Sequence, residues 1–298
     1  MLNDMKNILV IGSTVVDVIL RLPYLPGRGE DVNILSSSYQ IGGCAYNVYQ
    51  TLRKFNIPGV LCSPLGTGRF ADFISDHFIK EGIKPFVRLD VENGCCYCLI
   101  EPDGERSFLS QHGAEYIFNK SWMKNIDYSI TEDIFISGID VEDPTGIEIV
   151  DFIYEHEELS LYFAPGPRIL HIDNNKINAI LSRRDKYGRG PFLHLNEREA
   201  LLYTGQSRAE DAAKILSGLT LNDLVITLGA RGSYAFSKVN KDKPEGFFIQ
   251  STPALGEINT LGAGDVHLGT VIACMKMGIP IREACIKANE AAVKKISI

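Results

Sequence analysis

The chain has 298 residues, of which 45% are hydrophobic and 22% are charged, and its formal net charge is -7. This composition is globular, and a core of this size needs neither disulfides nor a metal for stability. The sequence contains no basic run that would follow a nucleic-acid backbone and no apolar run long enough to cross a membrane, so we expect neither partner.

The seven cysteines indicate free thiols rather than a disulfide framework. Their number is odd and their spacing irregular, which is typical of a protein in a reducing compartment. Cys95 and Cys98 form a C-x-x-C pair, but no second pair or suitable histidine lies near it, so we interpret both as ordinary strand residues. The apolar run near the N-terminus is short and is followed by Asp17, so we expect a cytoplasmic protein without an export signal.

Apolar runs and turn signals predict the elements of the first part of the chain. Asn7 to Gly12 is a continuous apolar run that ends in glycine, which is typical of a strand buried on both faces. The turn signal Pro102–Gly104 separates two alternating segments and predicts a hairpin. The other predicted elements are helices Ala45–Phe55 and Phe70–Glu81, and strands Val60–Leu65, Pro85–Val91, Cys96–Glu101 and Arg106–Ser110.

From residue 134 onwards, predicted strands and helices alternate regularly. The predicted strands are Ile134–Ser137, Leu161–Ala164, Phe192–Leu195, Leu224–Leu228, Ser233–Phe236 and Phe247–Gln250. The predicted helices are Pro144–Tyr154, Asn174–Leu181, Glu197–Tyr203, Ala209–Leu216, Gly264–Met277 and Ile281–Lys295. This alternation predicts an α/β fold with a mainly parallel sheet, helices on both faces, and ligands at the carboxyl ends of the strands.

The segment Asn259–Asp265 (NTLGAGD) places a glycine-rich turn before an acid and a long apolar stretch. The N–H groups of Gly262, Ala263 and Gly264 can converge there, and a following helix would add its positive dipole end, which favours a phosphate. A carboxylate beside a phosphate is explained if Asp265 takes a proton from a hydroxyl that attacks that phosphate. The alternative is a tight turn before a helix that Asp265 caps.

Two further segments follow predicted strands. Asn196 and Glu199 form either a helix capping box or an amide and a carboxylate that hold Mg²⁺-bound water near triphosphate oxygens. Thr227 to Gly232 is either a hairpin turn or a place where the backbone approaches a nucleotide closely. Both readings stay open on local grounds.

The N-terminal part offers polar residues for an alcohol. Gly42 and Gly43 precede a predicted helix and allow close approach of a polyol, and Asn47 offers both a donor and an acceptor. Asp17 could hold two hydroxyls at once, or it could be a turn acid on the surface.

Gly66–Ala71 is a competing motif. It matches G-x-G-x-x-A between a predicted strand and a predicted helix, and Asp90 follows at about the distance that a dinucleotide-binding oxidoreductase requires. However, Arg69 and Phe70 would crowd a pyrophosphate, and the unit does not begin the sheet. We therefore keep the oxidoreductase as an alternative hypothesis.

Taken in order, these segments resemble the ribokinase-like carbohydrate kinase family, also called the PfkB family, over nearly the whole chain. The matching segments are Gly12-Ser13 with Asp17, Gly42-Gly43 with Asn47, Glu101–Glu115, Asn196–Glu199, Thr227–Gly232 and Asn259–Asp265. The resemblance implies a ribokinase-like three-layer α/β/α sandwich with a mainly parallel central sheet. It further implies a single kinase domain over residues 1–298, with a small β-sheet lid formed by segments of about 17–40 and 95–115.

The resemblance also implies an ATP-dependent phosphotransferase that moves the γ-phosphate to a hydroxymethyl group of a small sugar. For this reaction the implied residues are Asp265 as catalytic base, with Gly262, Ala263 and Gly264 as the anion hole. Substrate contacts are implied for Asp17, Gly42, Gly43 and Asn47, nucleotide contacts for Asn196, Thr227, Gly229, Gly232 and Asn289, and a water-mediated Mg²⁺ contact for Glu199. An exposed lid edge could also pair two subunits into a homodimer.

Some positions depart from the family pattern and bear on which alcohol is phosphorylated. Asn259 stands where the family more usually has an acid, and this change bears on the binding of a monovalent cation such as K⁺. Tyr46 and Tyr49 are bulky, and either could stack on a base, so a nucleoside kinase of the adenosine or pseudouridine type is the alternative of the same family. A binding protein that kept the fold without activity is a further alternative. The remaining departures are Val15, Ala164 and His267.

Overall fold

The computed structural model describes residues 5–238, 243–254 and 260–297 of the chain. The strands in these residues are β1 (Asn7–Ile11), β2 (Val15–Arg21), β3 (Ser36–Gly42), β4 (Gly59–Cys62), β5 (Pro64–Thr67), β6 (Val87–Glu92), β7 (Cys95–Ile100), β8 (Arg106–Gln111), β9 (Thr131–Ser137), β10 (Ser160–Ala164), β11 (Phe192–Asn196), β12 (Leu224–Thr227), β13 (Ser233–Ser237) and β14 (Glu245–Ile249). The helices are α1 (Cys44–Lys54), α2 (Gly68–Glu81), α3 (Gly138–Glu142), α4 (Gly146–Glu155), α5 (Asn174–Ser182), α6 (Glu197–Thr204), α7 (Ala209–Thr220), α8 (Ala263–Lys276) and α9 (Ile281–Ile296).

Eight strands form a large sheet in the order β14-β13-β12-β11-β10-β9-β1-β4. The six neighbouring strands β4, β1, β9, β10, β11 and β12 pair in parallel. Strands β13 and β14 continue the sheet in antiparallel pairings. The prediction of a mainly parallel sheet is therefore confirmed. All parallel strands point their carboxyl ends to the same edge, where the candidate site residues lie.

Helices cover both faces of this sheet and give three layers. Because successive side chains of a strand point to opposite faces, β1 contributes Leu9 and Ile11 to one core and Ile8 and Val10 to the other. The first core is closed by helices α4, α5 and α7, and the second by α1, α2, α8 and α9. Within the described residues, no helix combines the length and the apolar character needed to cross a membrane.

A second, four-stranded sheet stands beside the large one, in the order β3-β2-β7-β8. Its central strands β2 and β7 are parallel, and both outer pairings are antiparallel. The hairpin predicted around Pro102–Gly104 forms β7 and β8. This small sheet carries exposed apolar side chains, including Tyr39 and Leu109.

Several predicted boundaries were wrong. The predicted strand Val60–Leu65 is two strands, because β4 ends before Pro64, which has no N–H to continue the ladder. Strand β5 pairs instead with β6 in a separate two-stranded sheet. The predicted helix Pro144–Tyr154 corresponds to α4, and the short helix α3 before it was not predicted.

Candidate functional site

The glycine-rich turn lies at the start of helix α8. Gly262 occupies the N-cap position with φ 71°, a left-handed conformation that favours glycine, and no side chain caps the helix. The Ala263 N–H donates to the Thr260 carbonyl oxygen, so an anion would meet the other N–H groups of the first turn, at the positive end of a 14-residue helix that buries Leu268 and Val271 in the core. This turn can bind an anion. Asn259, which begins the sequence motif, lies outside the described residues.

Asp265 lies in the first turn of α8, with its carboxylate held by neighbours from helix α1. Asn47 Nδ2 donates a hydrogen bond to Asp265 Oδ2 over 2.9 Å. Burial raises the pKa of Asp265 to about 6, while contacts with Asn47 and the Cys44 thiol oppose that rise and the charge of Asp17 adds to it. A carboxylate with this pKa is ionised at neutral pH, yet remains basic enough to accept a proton.

Asp17 and the glycine pair lie next to this carboxylate. Asp17 is buried, and burial raises its pKa to about 6, with a hydrogen bond from Gln40 opposing the shift. A Cβ atom on Gly42 would lie 2.1 Å from Asp17 Oδ2, so the carboxylate occupies the space of a missing side chain. Gly43 has φ 100° and approaches the Ser13 carbonyl, which again leaves no room for a side chain. The structure thus brings together the residues expected to contact an alcohol.

Asp140 is a third buried carboxylate at this edge, and sequence reasoning missed it. It accepts hydrogen bonds from the Ser13 N–H over 2.9 Å and from Ser137 Oγ over 2.6 Å. Burial raises its pKa to about 6. A Cβ atom on Gly12 would lie 2.2 Å from Asp140 Oδ2, which repeats the arrangement of Gly42 and Asp17. The signal available was its place just after a parallel strand, where ligand-binding residues collect.

Cys44 is the other residue at this edge that was not predicted. It begins helix α1 directly after the glycine pair and is half-buried. Burial and the charges of Asp265 and Asp140 raise the pKa of its thiol well above the usual value. The thiol therefore stays protonated between the two acids and can act as a weak donor.

A contact joins the small sheet to the anion-binding turn. Arg106, at the start of β8, donates a hydrogen bond to Thr260 Oγ1, and Thr260 in turn accepts the N–H of Ala263 on its carbonyl oxygen. The two segments are 154 residues apart in the sequence. The sequence predicts the hairpin as part of a lid but does not single out this arginine.

A cavity of about 540 Å³ opens beside the anion-binding turn. Its walls combine the turn with the predicted nucleotide residues Thr227, Gly229, Gly232 and Asn289. Gly232 has φ 100°, and a Cβ atom there would lie 2.1 Å from the Ile249 carbonyl oxygen. Apolar residues complete the walls, among them Pro253, Ala254, Ala263, Ala292, Val293 and Ile296. The volume falls within the range of small-molecule sites, about 300–1,000 Å³.

Asn289 is buried, and its amide is engaged by the protein. Its Oδ1 is 3.1 Å from His267 Nε2, and its Nδ2 donates to the Ile249 carbonyl oxygen over 3.1 Å. His267 Nδ1 is in turn 3.0 Å from His194 Nε2. Burial lowers the pKa of His267 to about 4 and that of His194 well below its usual value, so both rings are neutral at pH 7. His267 therefore donates through Nε2 and accepts through Nδ1.

Asn196 and Glu199 form a helix capping box, which is one of the two interpretations that their sequence left open. Asn196 Oδ1 accepts the N–H of Glu199 over 2.8 Å, and the Glu199 carboxylate accepts both the N–H and the Nδ2 of Asn196. Burial raises the pKa of Glu199 to about 7. Because Asn196 engages both carboxylate oxygens, these residues fit a contact with Mg²⁺ through water rather than direct ligation. In the part of the chain that the structure describes, no group of three or more acidic, His or Cys side chains could hold a metal.

The competing glycine motif has a structural explanation. The N–H of Gly66 donates to Asn93 Oδ1 over 2.7 Å, and a Cβ atom on Gly66 would lie 2.0 Å from the Val91 carbonyl oxygen. The motif joins β5 to α2 outside the large sheet, and Asp90 is exposed on β6. Packing against β6 therefore accounts for Gly66 without a dinucleotide.

Comparisons with known proteins show the family to which the chain belongs. The sequence model of the pfkB family carbohydrate kinases matches residues 5–143 and 191–297. The chain is 31% identical over 303 residues to the uncharacterized sugar kinase YegV of Escherichia coli (strain K12), covering 98% of this chain and 88% of that protein.

Two solved structures show the same fold. Ribokinase from Giardia lamblia superposes with a TM-score of 0.82 at 21% identity, covering 99% of this chain and 93% of that one. The Burkholderia thailandensis nucleoside kinase in complex with inosine gives 0.76 at 18% identity, covering 97% and 89%. Because the family model covers most of the chain and the ribokinase fold covers nearly all of it, this protein belongs to the pfkB family of carbohydrate kinases.

Proposed function

We propose that the protein transfers the γ-phosphate of ATP to a hydroxymethyl group of a small sugar. The observation that carries this proposal is the Asp265 carboxylate, which directly follows Gly264 of the cavity wall in the first turn of α8 and is close enough to the buried acid Asp17 for their charges to interact. Phosphoryl transfer needs a nucleophile, an activating base and charge neutralisation at one place. In the proposed reaction the sugar brings the nucleophilic hydroxyl, Asp265 is the base, and the N–H groups of the turn with Mg²⁺ neutralise charge.

In this proposal each side of the site has a separate task. Asp17 and Asn47 hold hydroxyls of the sugar, and Asp265 accepts the proton of the attacking hydroxyl. The N–H groups of the turn at Gly262–Gly264 stabilise the charge that develops on the transferred phosphoryl group. Mg²⁺, when bound, would neutralise phosphate charge, with Glu199 reaching it through water. Holding both substrates in line supplies the remaining rate enhancement.

We further propose that the small sheet acts as the lid, with residues of about 17–40 and 95–115 in one kinase domain over 1–298. The hydrogen bond from Arg106 to Thr260 supports this role, because it joins the sheet to the turn that would hold the phosphoryl group. Strands β3 and β8 are the outer strands of the sheet, and such edges can pair with a second subunit. The homodimer, the cytoplasmic location suggested by free thiols, and a K⁺ site near Asn259 stay predictions.

The sequence argument for a nucleoside acceptor is weakened by the structure. Tyr46, one of the two residues expected to stack on a base, is buried against Phe78 and its hydroxyl accepts a hydrogen bond from Gln50. Tyr49 packs against the second core, and Arg53 lies over its ring. The Tyr46 ring is not free to stack on a nucleobase, and the Tyr49 ring already contacts the core and Arg53, so we place the sugar first.

A substrate panel tests the proposal. Purified protein is incubated with ATP, Mg²⁺ and one of several pentoses, hexoses or nucleosides, and the phosphorylated acceptor is identified by mass spectrometry. We expect phosphorylation of at least one monosaccharide, and none by the Asp265→Asn variant. Phosphorylation of nucleosides alone would transfer the assignment to the alternative. Absence of any phosphorylated acceptor by a protein that binds ATP would contradict both.

A further inference from the structure

A second cavity lies at the opposite edge of the large sheet. It has a volume of about 290 Å³ and is formed where β9, β10 and β11 begin, together with the last turn of α8. We call it the amino-edge cavity. Its polar lining residues are Glu132, Asp133, Ser160, Tyr162, Tyr187, Arg189, Asn222 and Lys276. None of these belongs to the candidate site, which occupies the carboxyl edge.

The two cations of the amino-edge cavity are already paired. Lys276, whose side chain is 5% exposed, binds Asp133 and lies 3.6 Å from Glu132 Oε2. Arg189 donates through Nε and Nη2 to the buried carboxylate of Asp185, at 3.3 and 3.2 Å. Because each cation already has a carboxylate partner, an ion that entered would compete with an existing pair, which is costly where the charges are partly buried. The charges therefore favour a neutral ligand.

Hydrogen-bonding capacity remains for such a ligand. Tyr162 is only 8% exposed, and its hydroxyl makes no hydrogen bond to any residue in the described ranges. Burial and the charges of Asp133 raise the pKa of this hydroxyl well above its usual value, so it is a donor at all ordinary pH. Arg189 Nη1 also makes no hydrogen bond within the same ranges. The Tyr162 ring is buried while its hydroxyl opens into the polar cavity, so the hydroxyl offers a ligand a donor that no described residue uses.

The apolar part of the lining restricts the ligand further. Phe192 packs against the Tyr162 ring at 5.5 Å between centroids, and Leu161 and Met275 add aliphatic surface. Carbohydrates present hydroxyls on one side and C–H groups on the other, which matches a wall of this mixed kind. The volume lies at the small end of ligand sites.

We propose that the amino-edge cavity is a second binding site, for a neutral polyhydroxy molecule of about monosaccharide size. The site is separate from the catalytic edge and does not depend on the transfer reaction. Its ligand accepts hydrogen bonds from the Tyr162 hydroxyl and from an Arg189 Nη1 N–H. The hydroxyls of the ligand donate hydrogen bonds to Asp133 and Glu132, while both ion pairs remain intact.

The test uses a protein in which the proposed catalytic site no longer holds sugar. The full chain with Asp17→Ala is titrated with a pentose, an aldohexose, a ketohexose and an alditol, and binding is followed by saturation-transfer NMR. Tyr162→Phe is then added, because it removes only the hydroxyl and breaks no existing hydrogen bond. Tyr154→Phe on α4 is the control, since it removes a hydroxyl that lies outside the cavity and donates to the Ala179 carbonyl oxygen.

We expect saturable binding of at least one panel member to the Asp17→Ala protein. Tyr162→Phe should weaken it by about 3- to 10-fold, the value of one neutral hydrogen bond, and Tyr154→Phe should not. Absence of binding, or binding that Tyr162→Phe leaves unchanged, would overturn the proposal. Inorganic phosphate or glycine, titrated in parallel, would overturn the ligand class if either bound in a Tyr162-dependent way while no sugar did.

Discussion

The proposal divides the candidate site into an acceptor side, around Asp17 and Asp265, and a nucleotide side, the cavity beside the turn. The two sides differ in where they place charge. On the acceptor side, Asp17, Asp140 and Asp265 are carboxylates whose pKa values burial raises to about 6. On the nucleotide side, the cavity has apolar walls, and His267 is kept neutral by burial. In the proposed reaction, the ionisable groups lie where a proton would move, and the neutral surfaces lie where the adenine ring would be held.

The largest effect should come from the base on the acceptor side. Asp265→Asn keeps the shape of the side chain and its contact with Asn47 but removes the proton acceptor. We expect kcat to fall on the order of 10²–10⁴-fold, with ATP affinity changed little. Steady-state kinetics and calorimetric ATP titration measure the two effects, and Asp211→Asn on α7 is the control. Retention of turnover within 3-fold (about 0.6 kcal/mol) would show that Asp265 is not the base.

A smaller effect is expected from the acid that would hold the sugar. Asp17→Asn replaces charge-assisted hydrogen bonds by neutral ones, and the difference corresponds to about 10- to 100-fold in kcat/KM for the acceptor. The KM for ATP should stay the same, because Asp17 is absent from the walls of the nucleotide cavity. Measurements at varied acceptor and varied ATP separate the two constants. An equal change in the kcat/KM for the acceptor and in the kcat/KM for ATP, arising from a changed KM for ATP, would place Asp17 outside the acceptor site.

The pH dependence of activity provides a third test of the comparison. Because burial raises the pKa of Asp265 to about 6, the reactive carboxylate is present above pH 6 and is lost as the pH falls through that value. We expect kcat/KM to decrease at least tenfold per pH unit below 6, because Asp17, whose pKa burial also raises to about 6, loses its charge over the same range. The histidines of the nucleotide side do not change charge in this range, because burial lowers the pKa of His267 to about 4. A profile flat down to pH 4.5 would contradict this assignment.

The smallest effect should arise on the nucleotide side. His267→Phe removes the donor to Asn289 Oδ1 and leaves a buried acceptor without its partner. We expect a loss of about 1–3 kcal/mol in the free energy of unfolding and a rise of a few-fold in the KM for ATP. The KM for the acceptor should not change. Chemical denaturation and kinetics at varied ATP provide the measurements, and His171→Phe at an exposed position is the control.

Local patterns predicted the frame well. The apolar run at Asn7–Gly12 became β1 because a strand buried on both faces must be apolar throughout. The turn before Asp265 was predicted because its glycines and its helix are contiguous in the sequence. In both cases the physical cause lies within one short segment.

The remaining features depend on contacts between distant segments. Asp140 is part of the site only because Gly12 leaves space for it, 128 residues away in the sequence. Tyr46 was expected near the ligand, but its ring packs against His77 and Phe78 of helix α2 in the core. No local pattern contains such information.

The two glycine–aspartate contacts have an evolutionary consequence. Each carboxylate fills the volume that a methyl group on Gly12 or Gly42 would take, so neither glycine can gain a side chain while its acid stays in place. Alanine at either glycine would displace an acid from the acceptor side, although it adds no polar group. In an alignment of relatives, the glycine and its aspartate should therefore be kept or replaced together, as two covarying columns.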